Sequence, residues 1–599
     1  MKTQTPARSS SGVFSTALSA AQLAAVLLSA LQLAACSGDK SSGTNATASA
    51  ADSNFVALTH AVIADLMKTS PSLAVDLGVH TYDDQVEDVS KSAIMAASER
   101  LKNFRGSVAT FDTTKLSTIN RADRTMLISN IDAAILGDDV IKKWTRDPDF
   151  YSSGVTNAAF VIMKRNFAPP TDRLKSLIAR ERKLPIALAE ARKNLENPPK
   201  IYTQIALEQI DGSISFFKND VPAAFTEVKD SALLKEFKAT NDSVMAALAS
   251  YKLWMQKILL PKSNGTFAYG GDTYGKALAA SEMIEMPLNQ LLEYAEKDRQ
   301  KNEAAFQAVA HQIDSTKSVD TVHAEIERDH PAPNKLLEVT QTTLDSIRQF
   351  IIDKHIITIP PSEPARTFET PPFMRSTTSA SMDTPGPFEP AKLPARYNMT
   401  LPDPRWKPAE AEEFMHQWYY AMISNVSVHE VYPGHYTQFL YARQFPTDVR
   451  KVYGANTNIE GWAHYAEQMM LDEGFHANDP KYRLAQLQDA LLRDVRFIVG
   501  IKMHTQDMKL EDAIKLFETQ AHQPKPVAIS EAKRGTSDAL YGYYTMGKLM
   551  IMKLRDDYKA KMGSQYSLQK FHDEFIKLGP LPLPLIRQAM LGETGKLFQ

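Results

Sequence analysis

Apolar residues recur at spacings of three and four through most of the chain, the period of helices that bury one face. The spacing predicts helices over Ala57–Lys68, Lys91–Phe104, Arg121–Ile135, Pro170–Leu195, Tyr202–Asn219, Ala232–Lys257 and Ile284–Ala310. Prolines punctuate between them, as at Pro169-Pro170 and Pro198-Pro199. Strand-like runs are few: Ile356–Ile359 and Arg396–Leu401, inside a proline-crowded stretch over 356–408. The aromatics Phe368, Phe373, Phe388 and Tyr397 separate that stretch from a low-complexity linker. Helical periodicity then returns with Phe414, Trp418, Met422 and Val426, and again over Asn458–Glu467, Ala485–Met503 and Gly547–Arg555. The pattern implies a mostly α fold. One large helical domain over 53–599 encloses a cleft. Residues 53–355 form a helical wall, 356–408 a small strand-containing segment beside the site, and 409–599 a second helical half.

The first residues follow a different rule. Lys2 and Arg8 precede an apolar stretch, Ala17–Ala35, ending Leu33-Ala34-Ala35-Cys36. This is the layout of a secretory signal, and its end resembles a bacterial lipoprotein box. Cys36 is the only cysteine in the chain, which excludes an internal disulfide and fits a lipidated mature N-terminus. Residues 37–52 carry almost no large apolar side chains and read as a flexible tether. Ser37 after the cysteine suggests, by analogy with such lipoproteins, an outer-membrane anchor facing the periplasm. The expected membrane contact is through that lipid only.

Charge narrows the partners. With 68 basic and 70 acidic residues and no basic stripe, nucleic acid is not an expected partner. There is no Gly-rich phosphate loop and no repeat of fixed period. Arg165, Arg173 and Arg180 are candidates for a channel lining or, more blandly, for solvated charge.

The densest chemistry lies in Val428-His429-Glu430-Val431-Tyr432-Pro433-Gly434-His435. Two histidines flanking a glutamate suit a helix-borne zinc site with the glutamate as general base. Here the histidines are six apart rather than four. At about 100° per residue a straight helix would turn the second imidazole roughly 120° away from the first. Pro433 offers no N–H and clashes with the His429 carbonyl, so a bend or break is expected, and Gly434 adds freedom. Downstream, Glu460 and Glu467 are seven apart on one helical face. Catalytic zinc commonly takes three protein ligands. Glu460 is the first candidate for the third and Glu467 the second, and either can instead orient a ligand imidazole.

His-Glu-Val-Tyr-Pro-Gly-His-Tyr-Thr-Gln followed by Glu-Gly-Trp-Ala-His-Tyr-Ala-Glu resembles the bacterial family catalogued as domain of unknown function 885, with its HExxPGHxxQ and EGWAxYxE motifs. The resemblance spans most of the mature chain. It includes Leu77-Gly78-Val79-His80, Pro371-Pro372-Phe373-Met374-Arg375, Glu531-Ala532-Lys533-Arg534 and Tyr544-Thr545-Met546-Gly547-Lys548. The family is similar to zinc peptidases of the glutamate-zincin type. The resemblance therefore implies a helical metallopeptidase-like hydrolase with one zinc per chain, and it names no substrate.

The expected machinery is zinc held by His429, His435 and Glu460, Glu430 as the base, and Tyr544, by family position, as donor to the oxyanion. Arg534 is a candidate for a forked pair with a substrate carboxylate. Arg493, Arg496 and His504 sit on or just beyond the helix that follows, His504 as a cleft or structural residue. The expected substrate is a small peptide or another amide. Two alternatives keep the same residues: an N-acyl amino acid amidohydrolase, and a catalytically inactive lipoprotein that binds peptides or glycans.

Overall fold

The computed structural model describes residues 49–362, 364–371, 375, 379–390 and 393–598. The signal segment, Cys36 and most of the tether lie outside the described residues. Ser49 opens the first helix, Ala50–Thr69, by accepting from the Asp52 N–H, the usual work of a capping serine. The last residues assigned to the tether therefore belong to this helix.

The predicted helices form, with physical reasons for the changed ends. The run predicted over Pro170–Leu195 is two helices, Pro170–Glu181 and Leu184–Asn194. Pro185, lacking an N–H, begins the second rather than continuing the first. The helix predicted to follow Tyr541, Tyr543 and Tyr544 instead contains two of them and runs Tyr543–Met562.

Among the described residues the helical wall contributes to three apolar clusters, the smallest of which packs Phe306, Ala310, Val322 and Ile326 against Tyr419 and Leu484. One apolar cluster runs from Phe55 to Phe598 and unites the first helices, and those from Tyr274 to Ile351, with the C-terminal half. A second is built almost entirely between Tyr151 and Leu259. Arg165, Arg173 and Arg180 are neither channel lining nor solvated charge. Arg165 pairs with Asp383 at 2.8 Å. Arg173 and Arg180, 5% and 0% exposed, are spent largely on backbone carbonyls, such as those of Ile162 and Ala158.

One three-stranded sheet lies beside the site: β1 (Arg366–Glu369), β2 (Ala380–Asp383) and β3 (Arg396–Met399). The order is β1-β3-β2, with β1 parallel and β2 antiparallel to β3. Ile356–Ile359 is not a strand. Its polar backbone is satisfied by side chains instead: the Ile356 carbonyl faces His572 Nδ1 at 2.7 Å, and the Thr358 N–H donates to Asp573 at 2.8 Å. The central strand presents Tyr397, fully buried, to the helix of the histidine motif, where the Ser427 hydroxyl donates to it at 3.5 Å.

Candidate metal centre

The helix Tyr420–Glu430 ends on the first histidine and the glutamate of the motif, and the helix His435–Ala442 begins on the second histidine. The expected bend is thus a complete break over Val431–Gly434. Pro433 has no N–H to continue the ladder. Gly434 donates its N–H to the Val428 carbonyl at 3.1 Å, and a Cβ on it would lie 1.8 Å from the His429 carbonyl oxygen. Only glycine permits that approach. Trp462 holds the break from across the site, its indole N–H donating to the Pro433 carbonyl at 2.8 Å.

Trp462 belongs to the helix Asn456–Asp472, which also carries Glu460, His464 and Glu467. Glu282 caps it by accepting from the Thr457 N–H at 2.9 Å and the Asn456 N–H at 3.2 Å. The same helix packs on Tyr543–Met562 with glycines in the seam. A Cβ on Gly461 would meet Gly547 Cα at 2.4 Å, and one on Gly547 would meet the Thr457 carbonyl oxygen at 1.9 Å. That approach carries Tyr544 to the site.

His429, His435 and Glu460 converge. Glu460 Oε2 lies 3.5 Å from His429 Nε2 and 3.4 Å from His435 Nε2, and one ligand atom from each residue lies within 4.8 Å of the others. All three are buried, at 6%, 4% and 3% exposure. Neither ring nitrogen of His435 makes a hydrogen bond, nor does Glu460 Oε2. Buried polar atoms ordinarily have partners, and converging lone pairs without them suit a cation. The spacing fits zinc: bonds of about 2.1 Å at tetrahedral angles put ligand atoms about 3.4 Å apart.

Glu467 stands behind the first histidine. Its Oε1 meets His429 Nδ1 at 2.6 Å, so it stands where a carboxylate orients the ring and not among the converging atoms of His429, His435 and Glu460. Arg493 reaches the same oxygen at 3.1 Å, and His464 Nδ1 faces Oε2 at 3.1 Å. Asp489 in turn accepts from Arg493 at 3.2 Å and from Asn425 at 2.7 Å. The charges follow from these contacts. Burial opposes ionisation of Glu467, but Arg493 and His464 hold it well below the usual carboxylate range. Burial likewise opposes charge on His429, yet Glu460 and Glu467 raise its pKa to about 9. Any cation at its Nε2 would have to displace the bound proton. His464, which burial drives down to about 3, stays neutral.

Glu430 is 3% exposed, and burial raises its carboxyl against the pull of His435 and His429. The Tyr544 ring centroid lies 6.4 Å from that of His429, flanked by the Arg493 and Arg496 guanidinium groups at 5.4 and 5.2 Å. Arg534 pairs with Asp538 at 3.0 Å and donates to the Tyr543 hydroxyl at 3.2 Å, while its buried Nη1 makes no hydrogen bond. Arg496 is consumed by Glu531 at 2.7 and 2.8 Å. His504 is structural, its Nε2 on the Gly535 carbonyl at 2.8 Å. The site thus gathers six of the predicted residues, His429, Glu430, His435, Glu460, Glu467 and Tyr544. The sequence reading overlooked the parts taken by His464 and Arg493. Four residues after Glu460 and three before Glu467, His464 shares their helical face, and that spacing was the available signal.

A family model described as "bacterial protein of unknown function" (DUF885) matches residues 71–590. The chain belongs to this family. Two solved structures share the fold. One, described as a candidate lipoprotein of unknown function from Shewanella oneidensis, is 25% identical with a TM-score of 0.75, over 90% of this chain and 99% of that one. The other, described as a candidate lipoprotein from Colwellia psychrerythraea, is 17% identical with a TM-score of 0.77, over 90% of this chain and 98% of that one. The second likeness bears on the fold alone. No curated protein matches. Among the described residues no helix is long and apolar enough to cross a membrane.

Proposed function

We propose that this family member is a zinc-dependent hydrolase of amide bonds, a metallopeptidase acting on small peptides. The observation that carries the reading is the buried convergence of His429, His435 and Glu460, whose facing atoms have one another at about 3.4–3.5 Å and, at His435 and Glu460 Oε2, no hydrogen bond. Zinc bound there supplies Lewis acidity to a water and to the scissile carbonyl. Glu430 takes a proton from the attacking water and returns it to the leaving nitrogen as the C–N bond breaks. The Tyr544 hydroxyl donates to the carbonyl oxygen as it gains charge. Glu467 and Arg493 keep the His429 ring in register.

The free Nη1 of Arg534, on the side of the site where Tyr543 and Tyr544 stand, suits a substrate carboxylate. That favours cleavage next to a free C-terminus. It favours equally an N-acyl amino acid, which offers the same carboxylate beside an amide. Peptides with free and amidated C-termini and a set of N-acyl amino acids, assayed with the zinc-loaded full-length protein, separate these. Zinc-dependent release that fails on amidated peptides is the expected result. Zinc uptake at His429 and His435 with no hydrolysis in any panel overturns the enzyme in favour of a peptide- or glycan-binding lipoprotein.

The exported, lipid-anchored location belongs to the same proposal. It rests on Leu33-Ala34-Ala35-Cys36 and on the 25%-identical structural relative described as a candidate lipoprotein. Replacement of Cys36 by alanine is expected to move the protein out of the outer-membrane fraction. Its retention there would refute the lipid anchor.

A further inference from the structure

A second group of ligand-type side chains lies apart from this site. His330, Glu412 and His416 bring one ligand atom each within 4.8 Å of the others. Glu412 and His416 are four residues apart, one turn, along the helix Pro408–Met415 and its 3₁₀ continuation His416–Trp418. That is the one-face spacing that a pair of metal ligands on a helix requires. His330 comes from elsewhere, a stretch without helix or strand that follows the helix Val319–Glu327.

The His330 ring is fixed as ligand imidazoles usually are. Its side chain is 7% exposed, and its Nδ1 lies 3.1 Å from the Pro331 carbonyl oxygen. A carbonyl only accepts, so Nδ1 carries the hydrogen, and Nε2 of the neutral ring presents a lone pair. That lone pair faces Glu412 Oε1 at 3.2 Å. A carboxylate also only accepts. Two acceptors at that distance need a positive charge between them, either a proton or a cation. The His416 ring, with its centroid 5.7 Å from that of His330 and inclined by 52°, adds a second imidazole to the same space. Glu412 is 60% exposed in its side chain, so the space opens to solvent.

We propose that His330, Glu412 and His416 form a second metal site, for a divalent transition ion of the zinc type. Two imidazoles and one carboxylate favour zinc, nickel or copper over magnesium or calcium, which prefer all-oxygen shells. Three protein ligands leave a position for water on the exposed side. The location suggests a clamp. The neighbouring Asp329 carbonyl accepts from the Tyr420 N–H at 3.1 Å, and Tyr420 is the first residue of the helix that ends in His429 and Glu430. An ion held by His330 and His416 would tie the 329–331 stretch to the start of that helix.

The test is zinc stoichiometry of the full-length protein by equilibrium dialysis, with thermal unfolding followed in parallel. Wild type is expected to take two zinc ions, the second weaker than the first, and its Tm to rise further as the second loads. His330→Ala and the exposed, fold-neutral Glu412→Gln are each expected to lose the second ion and keep the first. His429→Ala is expected to do the reverse, so that failure of one site is read separately from failure of the other. One ion in wild type at saturating zinc, with the single ion lost in His429→Ala, would mean that a proton fills the space and would overturn the proposal. A second ion retained in both His330→Ala and Glu412→Gln would overturn it as well.

Discussion

Glu460 and Glu467 grip opposite nitrogens of one imidazole: Glu460 Oε2 lies 3.5 Å from His429 Nε2, and Glu467 Oε1 lies 2.6 Å from His429 Nδ1. Two carboxylates two turns apart on one helix therefore have different work. Glu460→Ala is expected to abolish zinc binding. Glu467→Gln keeps an acceptor for Nδ1 but loses the charge, and is expected to weaken zinc about ten- to a hundredfold. Competition with a chelator of known affinity measures both. Equal loss in the two variants would mean that both carboxylates ligate.

Glu430 points to a cleaner separation of binding from chemistry. It is buried beside both histidines, yet it has no part in the converging triad. Glu430→Gln is expected to hold a full equivalent of zinc while kcat falls about a hundred- to ten-thousandfold. Wild-type turnover in that variant would remove it as the base.

Tyr544 and Arg534 are expected to divide kcat from KM. Tyr544→Phe removes one donor to the developing oxyanion and is expected to lower kcat about a hundred- to thousandfold with little change in KM. Arg534→Lys keeps a cation but not the fork, and is expected to raise KM for substrates with a free carboxylate while leaving amidated ones unchanged. Steady-state kinetics on matched substrates read both. A KM shift of the same size on amidated substrates would leave Arg534 with only its structural pair to Asp538.

The unequal fate of these residues shows what the sequence could carry. The break at Pro433-Gly434 was legible because proline and glycine act on their own backbone within a few residues, and the six-residue histidine spacing demanded a break. The division of labour between Glu460 and Glu467 was not. Residues seven apart share a helical face, and only the position of the His429 ring, between two carboxylates whose backbone positions lie about 10 Å apart along the axis, tells them apart. The helices were legible from their period. β1 and β2 were not, because four-residue strands without alternation take their pairing from β3, which lies thirty residues beyond β1. Ile356–Ile359 failed for the opposite reason: it has the composition of a strand, but its backbone is claimed by His572 and Asp573.

The glycine seam between the Glu460 and Tyr544 helices makes a stability prediction with a functional tail. A methyl on residue 547 would sit 1.9 Å from the Thr457 carbonyl oxygen, which belongs to a backbone that Glu282 pins. The helices must separate. Gly547→Ala is expected to cost about 1–3 kcal/mol in urea unfolding, the usual penalty of overpacking. It is also expected to lower kcat more than zinc affinity, since Tyr544 moves and the ligands do not. A loss of stability with kcat intact would detach Tyr544 from the chemistry.

Stability should fall towards alkaline pH through Glu181. This residue is fully buried between helices, its Oε1 has no hydrogen-bond partner, and burial outweighs the Thr240 hydroxyl to push its carboxyl up to about 8. In the unfolded chain the same group titrates near 4.5. Between those values the folded state holds a proton that the unfolded state has released. Unfolding therefore becomes easier as pH rises, and the contribution present below about 4.5 is lost through about 8. The slope from one such group is at most about 1.4 kcal/mol per pH unit. Glu181→Gln cannot ionise and is expected to flatten its share of the profile, leaving the variant relatively more stable at pH 8 than at pH 5. The difference between the two profiles isolates this residue, because Asp138 and Glu282, which burial also raises to about 7, titrate in both proteins. Parallel Tm profiles for wild type and Glu181→Gln would mean that Glu181 is ionised in the fold and draws a counter-charge or water to its Oε1.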